Sequence, residues 1–271
     1  MLKRSKISKK LLIIFAALVL IGLAEMTVIA FRLSDHNSNS QKNTSGKSTS
    51  NSDAGTTFNK SKYSINDPNS IWVVVNKGRV LPAGYVPPDL VTPNVPLRTK
   101  TSDPEMHLRN EAARALESLF STASTESINF RLASGYRSYT EQVSIYASEV
   151  KSNGQAGADR ESARPGHSEH QTGLAADLEP STRLCEVEPC FANTPEGKWL
   201  MANAYKSGFI IRYQEGKENL TGYKYEPWHI RYVGADLAVE IQKNGQTLEQ
   251  FFGLAAATGY TAQSYQLSAG T

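Results

Sequence analysis

The stretch "GHSEHQTGLAADLEP", from Gly166 to Pro180, has an order of residues that a solvent-exposed loop does not need. It holds two of the chain's five histidines, and Asp177 follows His170 by seven residues. Small and apolar residues surround the aspartate, and they predict a short buried strand over "GLAADL" (173–178). A metal site would explain why histidine and carboxylate side chains lie in such a setting.

The segments on either side of this stretch mix strands and helices without a regular βαβ rhythm. Strands are predicted at "IWVVV" (71–75), "INFRLAS" (128–134), "GFIIRY" (208–213) and "HIRYV" (229–233). Helices are predicted from Asp103, after Tyr139, from Thr194 and over "ADLAVEIQKNG" (235–245), the last one ending at glycine. This order predicts an α+β fold with a mainly antiparallel sheet flanked by helices.

The N-terminal region predicts a membrane anchor. Five basic residues within the first ten positions precede an apolar run from Leu11 to Phe31. As a helix, the run would span roughly 30 Å, which matches the hydrocarbon thickness of a bilayer. The basic residues favour a cytoplasmic start, so residues 1–33 are predicted to comprise that start and a single-pass transmembrane anchor, with the rest of the chain outside the cell. A cleaved signal peptide is the alternative, although no convincing cleavage site follows the run.

Composition divides the remainder of the chain. Residues 34–64 are almost entirely Ser, Asn, Thr, Lys and Gly, which predicts a disordered linker. The folded domain is predicted over residues 65–253, and the weakly patterned residues 254–271 are predicted to form a loose tail. The net charge of +3 is too small to argue for a nucleic-acid partner.

The two cysteines, Cys185 and Cys190, lie in the segment "CEVEPC". An extracellular location makes a short-loop disulfide the expected pairing. A pair of free thiols is the alternative that the sequence leaves open.

Three stretches carry residues suited to metal chemistry: "SGYRSYTEQ" (134–142), "SEHQTGLAAD" (168–177) and "YEPWH" (225–229). Catalytic zinc commonly has three protein ligands and one open position for water. His170, Asp177 and His229 are the candidate ligands, with His167 as a substitute. Spacing alone leaves ordinary roles open for each of them, namely a loop histidine, a turn carboxylate and a half-buried strand residue.

These motifs resemble the VanY-like D-alanyl-D-alanine carboxypeptidases, which are zinc metallopeptidases of the bacterial cell wall. The resemblance rests on the pattern Ser168-x-His170-x-x-Gly173-x-Ala175-x-Asp177, followed by "EPWH" (226–229), with "SGYRS" (134–138) upstream. It covers roughly residues 71–252. It implies the small α+β architecture that this family shares with Hedgehog-type domains, the Hedgehog/DD-peptidase fold.

The resemblance also implies roles for individual residues. Zinc is expected to be bound by His170, Asp177 and His229, and Glu226 is expected to take a proton from the water that the metal activates. Arg137 is expected to stabilise the developing oxyanion.

By the same resemblance, Arg137, Gln142 and Ser168 are expected to bind the substrate. The implied reaction removes the C-terminal D-alanine from peptidoglycan stem peptides. The sequence does not decide between a D,D bond in a pentapeptide and an L,D bond in a tetrapeptide. The alternatives are a non-catalytic zinc module that binds peptidoglycan and, less favoured, an endopeptidase that cuts cross-bridges.

Overall fold

The computed structural model describes residues 58–268. The predicted transmembrane helix and most of the predicted linker lie outside the described residues. Among the residues that are described, no helix combines the length and the apolar character needed to cross a bilayer.

The strands form one central sheet and two short pairs. In chain order they are β1 (Arg79–Val80), β2 (Leu90–Val91), β3 (Leu108–Arg109), β4 (Phe130–Ser134), β5 (Ala175–Pro180), β6 (Phe209–Tyr213), β7 (Glu226–Tyr232) and β8 (Tyr265–Gln266). The central sheet has the order β4-β5-β7-β6, and all its pairs are antiparallel. The mainly antiparallel α+β fold predicted from the sequence is thereby confirmed.

The helices are α1 (Asn110–Thr125), α2 (Tyr139–Glu161), α3 (Pro195–Asn203), α4 (Glu218–Thr221), α5 (Ala235–Asn244) and α6 (Leu248–Phe252). Four 3₁₀ helices join them, at Pro104–Met106, Glu169–Thr172, Pro189–Asn193 and Ala204–Ser207. Helix α1 buries one apolar face, including Leu116 and Leu119, in the larger of two hydrophobic clusters. Burial of that stripe stabilises the helix more than its intrinsic propensity does.

Two elements differ from the sequence-based prediction. The side chain of Asp103 caps a single 3₁₀ turn, and β3 then intervenes before α1 begins at Asn110. Residues 72–75 of the predicted first strand are buried and Ile71 is half-buried, but the run is not part of a sheet. Its alternate side chains enter different clusters, Val73 and Val75 the larger one and Trp72 and Val74 the smaller one. The alternation of these side chains therefore reflects a segment that runs between the two hydrophobic clusters.

Both ends of the described region pack on the domain. Phe58 stacks on Trp72, with ring centroids 5.7 Å apart, so the folded domain includes residues before the predicted boundary at residue 65. At the other end, β8 pairs in parallel with β1, and Leu267 is buried. This differs from the predicted loose tail, because pairing with a distant strand needs no strong local pattern.

Candidate active site

Three side chains from two strands and a 3₁₀ helix meet at one buried point. Asp177 of β5 lies opposite His229 of β7 in the sheet register, and His170 comes from the 3₁₀ helix Glu169–Thr172. Their donor atoms all lie within 4.8 Å of one another, and all three residues are buried. Among the described residues, these three side chains are arranged so that they could hold a metal ion.

The small residues of "GLAADL" explain how this approach is possible. Gly173 adopts a left-handed conformation with φ of 66° and ends the 3₁₀ helix. A Cβ atom there would lie 2.9 Å from Leu90 Cδ2, so glycine permits both the turn and the close packing. Every residue of β5 is buried between β4 and β7. The chain therefore turns directly from His170 into the strand that carries Asp177.

Hydrogen bonds to Gly135 and Ser134 orient His170 and Asp177, and His229 approaches the same carboxylate. His170 Nδ1 lies 2.6 Å from the carbonyl oxygen of Gly135, so this nitrogen donates and Nε2 is left facing Asp177 Oδ2 at 3.3 Å. Ser134 donates its hydroxyl to Asp177 Oδ2 at 2.6 Å. His229 Nδ1 lies 3.1 Å from Asp177 Oδ1. Two imidazole nitrogens thus converge on one carboxylate.

This donor set fits zinc. Asp177 Oδ1 is buried and has no hydrogen-bond partner among the described residues, a state that normally costs free energy. Burial opposes ionisation of Asp177, but His170 and His229 outweigh burial and hold its pKa well below the usual range. An ionised carboxylate with two imidazoles is a common ligand set for zinc, which binds tetrahedrally and keeps one position open in catalytic sites.

His167, the substitute ligand in the sequence analysis, lies apart from this group. Its Nδ1 is 2.8 Å from the carbonyl oxygen of Asn76, and its ring packs edge-on against Tyr260. The structure therefore gives His167 a packing role.

Glu226 is the first residue of β7 and lines the same cleft. Its Oε2 lies 3.6 Å from His229 Nδ1. Burial raises the pKa of Glu226 to about 7, and nearby Asp177 adds to this effect while His229 and Arg137 oppose it. A carboxyl group with such a pKa can both accept and return a proton near neutral pH.

Arg137 follows β4 and is held in the cleft by two partners. Its Nε donates to Glu105 Oε1 at 3.1 Å, and its Nη1 donates to Gln142 Oε1 at 3.3 Å. Gln142 in turn donates from Nε2 to Ala163 O at 2.7 Å. Glu141, the carboxylate nearest to Arg137 in the sequence, is not its hydrogen-bond partner. Glu105 carries no sequence signal for this role.

The remaining walls of the cleft come from segments that sequence reasoning did not place there. The cleft has a volume of about 580 Å³. Ile145 and Glu149 of α2 line it, as do Val187 and Glu188, whereas Ser168, which also lines it, was expected there from the sequence. Val187 lies between Cys185 and Cys190, which the structure joins in a disulfide with a Cα–Cα distance of 5.6 Å.

A buried His-Asp-His group beside a carboxylate, at a cleft that the same residues line, is the arrangement of a metallohydrolase. Comparison with known proteins identifies the family. Residues 105–235 match the family model for VanY, D-alanyl-D-alanine carboxypeptidase. A Bacillus subtilis (strain 168) protein named as a carboxypeptidase, YodJ, is 45% identical over 188 residues, which are 69% of each chain.

Comparison with solved structures indicates the same family. The LdcB LD-carboxypeptidase is 45% identical, with a TM-score of 0.66 over 69% of this chain and 88% of that one. A mutant of the vancomycin resistance D,D-pentapeptidase VanY, in complex with Zn(II), is 30% identical, with a TM-score of 0.53 over 66% of this chain and 97% of that one. The chain belongs to the VanY family of D-alanyl-D-alanine carboxypeptidases, and it is an enzyme of this class, as its motifs predicted.

Proposed function

We propose that the protein is a zinc-dependent carboxypeptidase that removes the C-terminal D-alanine from peptidoglycan stem peptides. The observation that carries this proposal is the buried group of His170, Asp177 and His229 with Glu226 beside it at the cleft. The three ligands would hold zinc. When bound, zinc supplies a Lewis acid that polarises the scissile carbonyl and makes a water molecule more acidic.

The residues of the chain then handle protons and charge. Glu226 accepts the proton of the attacking water and passes it to the leaving amine of D-alanine. Arg137 carries a permanent positive charge and stabilises the negative charge that develops on the carbonyl oxygen. The contacts of Arg137 with Glu105 and Gln142 fix its position before substrate arrives, so little reorganisation is needed.

Substrate binding falls to the residues whose polar atoms remain available in the cleft. Ser168 lines the cleft, and its hydroxyl can donate to the carboxylate of the terminal D-alanine. The amide of Gln142 already accepts a hydrogen bond from Arg137 and donates one to the carbonyl oxygen of Ala163. Its contribution to substrate binding is therefore indirect, through Arg137.

Mass spectrometry of muropeptides tests the activity and the bond that is cut. Stems ending in a pentapeptide and in a tetrapeptide are incubated with the protein, with and without a zinc chelator, and Glu226→Gln serves as the inactive control. Loss of one alanine only from the pentapeptide identifies a D,D-carboxypeptidase, and loss from the tetrapeptide identifies an L,D-carboxypeptidase. Relatives of both kinds are similar to this chain.

The motifs alone leave open a non-catalytic zinc module that binds stem peptides. Glu226 argues against it, because a binding module has no use for a proton acceptor at this position. Bound zinc and bound stem peptide, with no mass change on either substrate, would favour the binding module over the enzyme.

We further propose that residues 1–33 anchor the protein in the cell membrane and that the catalytic domain lies outside the cell. The basic residues followed by the apolar run from Leu11 to Phe31 support this proposal. Full-length protein should fractionate with membranes and be digested by protease added to spheroplasts. A mature protein that lacks its first residues by intact-mass measurement would show a cleaved signal peptide.

A further inference from the structure

A buried chain of charged side chains lies behind the candidate metal ligands. Glu169, Arg212, Arg231 and Glu249 have side chains that are 0–1% exposed. Glu169 Oε1 accepts from Arg212 Nε and from Arg231 Nη1, both at 2.8 Å. Arg212 also donates to both oxygens of Glu249, at 2.6 and 3.0 Å. Two positive and two negative charges thus balance in the interior, as buried charges require.

One oxygen of this network faces a candidate metal ligand. Glu169 Oε2 lies 3.6 Å from Nε2 of His229. Both atoms are buried and lack a hydrogen-bond partner among the residues that the structure describes. Unpartnered buried polar atoms are rare and costly, and here two of them point at each other. Their separation of 3.6 Å lies slightly beyond ordinary hydrogen-bond distance.

From this geometry we infer that Glu169 is a positioning residue that accepts the Nε2 proton of His229 and thereby directs the Nδ1 lone pair of His229 toward the metal. The inference rests on the proposed zinc site. Metal-bound histidines commonly donate a hydrogen bond from their other ring N–H to a carboxylate or a carbonyl oxygen. This hydrogen bond fixes the tautomer and the ring orientation. For His170 that acceptor is the carbonyl oxygen of Gly135.

The two histidines therefore carry opposite tautomers. His170 holds its proton on Nδ1 and presents Nε2, whereas His229 holds its proton on Nε2 and presents Nδ1. Arg212 and Arg231 both donate hydrogen bonds to Oε1 of Glu169. These two hydrogen bonds keep the carboxylate oriented with Oε2 toward His229. Glu249 extends the network to α6, beyond the segment that matches the family model.

Zinc affinity tests the inference, measured on the full-length protein by competition with a chromophoric chelator. Wild-type protein is measured first, because failure to bind one zinc would refute the proposed metal site itself. In Glu169→Gln, zinc affinity should fall by about 10- to 100-fold, the usual effect of removing such a partner. The matched control is Glu249→Gln, which disturbs the same arginine without touching His229, and its zinc affinity should stay close to that of wild type.

Two results would overturn the inference. One is a Glu169→Gln variant that folds and binds zinc as tightly as wild type. The other is an equal loss of affinity in the two variants, which would assign the effect to general damage of the buried network. Melting temperatures of both variants separate damage to stability from damage to the metal site.

A second measurement needs no variant, in case Glu169→Gln does not fold. In full-length protein with zinc bound, long-range ¹H–¹⁵N correlation spectra report which imidazole nitrogen of each histidine carries a proton. A proton on Nε2 of His229 and on Nδ1 of His170 would agree with the inference. A proton on Nδ1 of His229 would refute it.

Discussion

At Glu226, burial and charged neighbours act on the same carboxyl group in opposite directions. Burial raises its pKa to about 7, whereas His229 and Arg137 favour the ionised form. A single side chain can thus exchange protons near neutral pH while it contacts a candidate metal ligand at 3.6 Å. Substitution of Glu226 can therefore separate proton transfer from metal binding.

Glu226→Gln should retain zinc and lose turnover. Glutamine keeps the shape of the side chain but cannot accept the proton, and loss of a general base typically costs about 10²- to 10⁴-fold in rate. Zinc content by elemental analysis and release of D-alanine are measured together. The control is Glu218→Gln, an exposed carboxylate on α4. Turnover near that of wild type in Glu226→Gln would remove Glu226 from the mechanism.

His170→Ala should lose both the metal and the activity. One of three ligands disappears, and the two that remain, Asp177 and His229, do not hold zinc firmly. His167→Ala is the matched control, because His167 bonds to Asn76 and lies outside the ligand group. Zinc per chain after dialysis should be near zero in the first variant and near one in the second. One zinc per chain in His170→Ala would contradict the ligand assignment.

At the scale of elements, the loop closed by Cys185 and Cys190 combines an unusual backbone with a position at the cleft. Val187 has φ of 51°, in the left-handed region that β-branched residues rarely adopt, and it lines the cleft. Such conformations persist where the surrounding structure enforces them. The disulfide and the ion pair between Arg131 and Glu186 provide that constraint on this loop.

Replacing both cysteines by serine should raise KM for stem peptides and change kcat little. The loop would lose its fixed shape, but the metal group and Glu226 would remain. The loss of stability should be about 2 kcal/mol, the value expected for a disulfide that closes so short a loop. Kinetics on muropeptides and urea unfolding measure the two effects. An unchanged KM would mean that this wall of the cleft does not contact the substrate.

The C-terminal strand β8 offers a second test at this scale. Leu267 is 1% exposed and belongs to the larger hydrophobic cluster. Leu267→Ala should therefore lower the free energy of unfolding by about 2–5 kcal/mol, as for other buried leucines. Val239→Ala on α5, where the side chain is exposed, should change it by no more than about 0.5 kcal/mol. Equally small changes in the free energy of unfolding of both variants would support the loose tail that the sequence predicted.

At the scale of the whole molecule, the buried charges connect the C-terminal part of the chain to the central sheet. Arg212 of β6 binds Glu249 of α6, and Arg231 of β7 binds the carbonyl oxygen of Val73 at 2.7 Å. Burial opposes ionisation of Glu249, but Arg212 outweighs it and lowers the pKa of Glu249. Stability should therefore depend on pH in a defined direction.

Because the folded-state pKa of Glu249 is lowered, its contribution to stability is fully present above the unfolded pKa of about 4.3 and is lost as the pH falls through the folded pKa. Glu249→Gln should thus be less stable than wild type at pH 7, and the difference should shrink at pH values below 4. Urea unfolding of both proteins at the two pH values measures it. A difference that stays constant with pH would contradict this role of Glu249.

Much of the site could be predicted from the sequence because its chemistry is carried by short motifs. His170 and Asp177 belong to one continuous stretch, and Glu226 and His229 belong to another. The strands that hold them have local hydrophobic patterns, and the order of strands and helices predicted the antiparallel α+β fold. These features depend on neighbouring residues, so the sequence by itself determined the family and the set of residues now proposed as ligands and base.

Only the tertiary structure decided which distant residues support that site. Arg137 is fixed by Glu105, Glu169 is gripped by Arg212 and Arg231, and β8 pairs with β1. Each of these contacts joins segments far apart in the chain, and none has a periodicity or a spacing that a local pattern could reveal. Buried ions require partners of opposite charge, but it is the packing of the sheet against α6 and the 3₁₀ helices that determines which partners they meet.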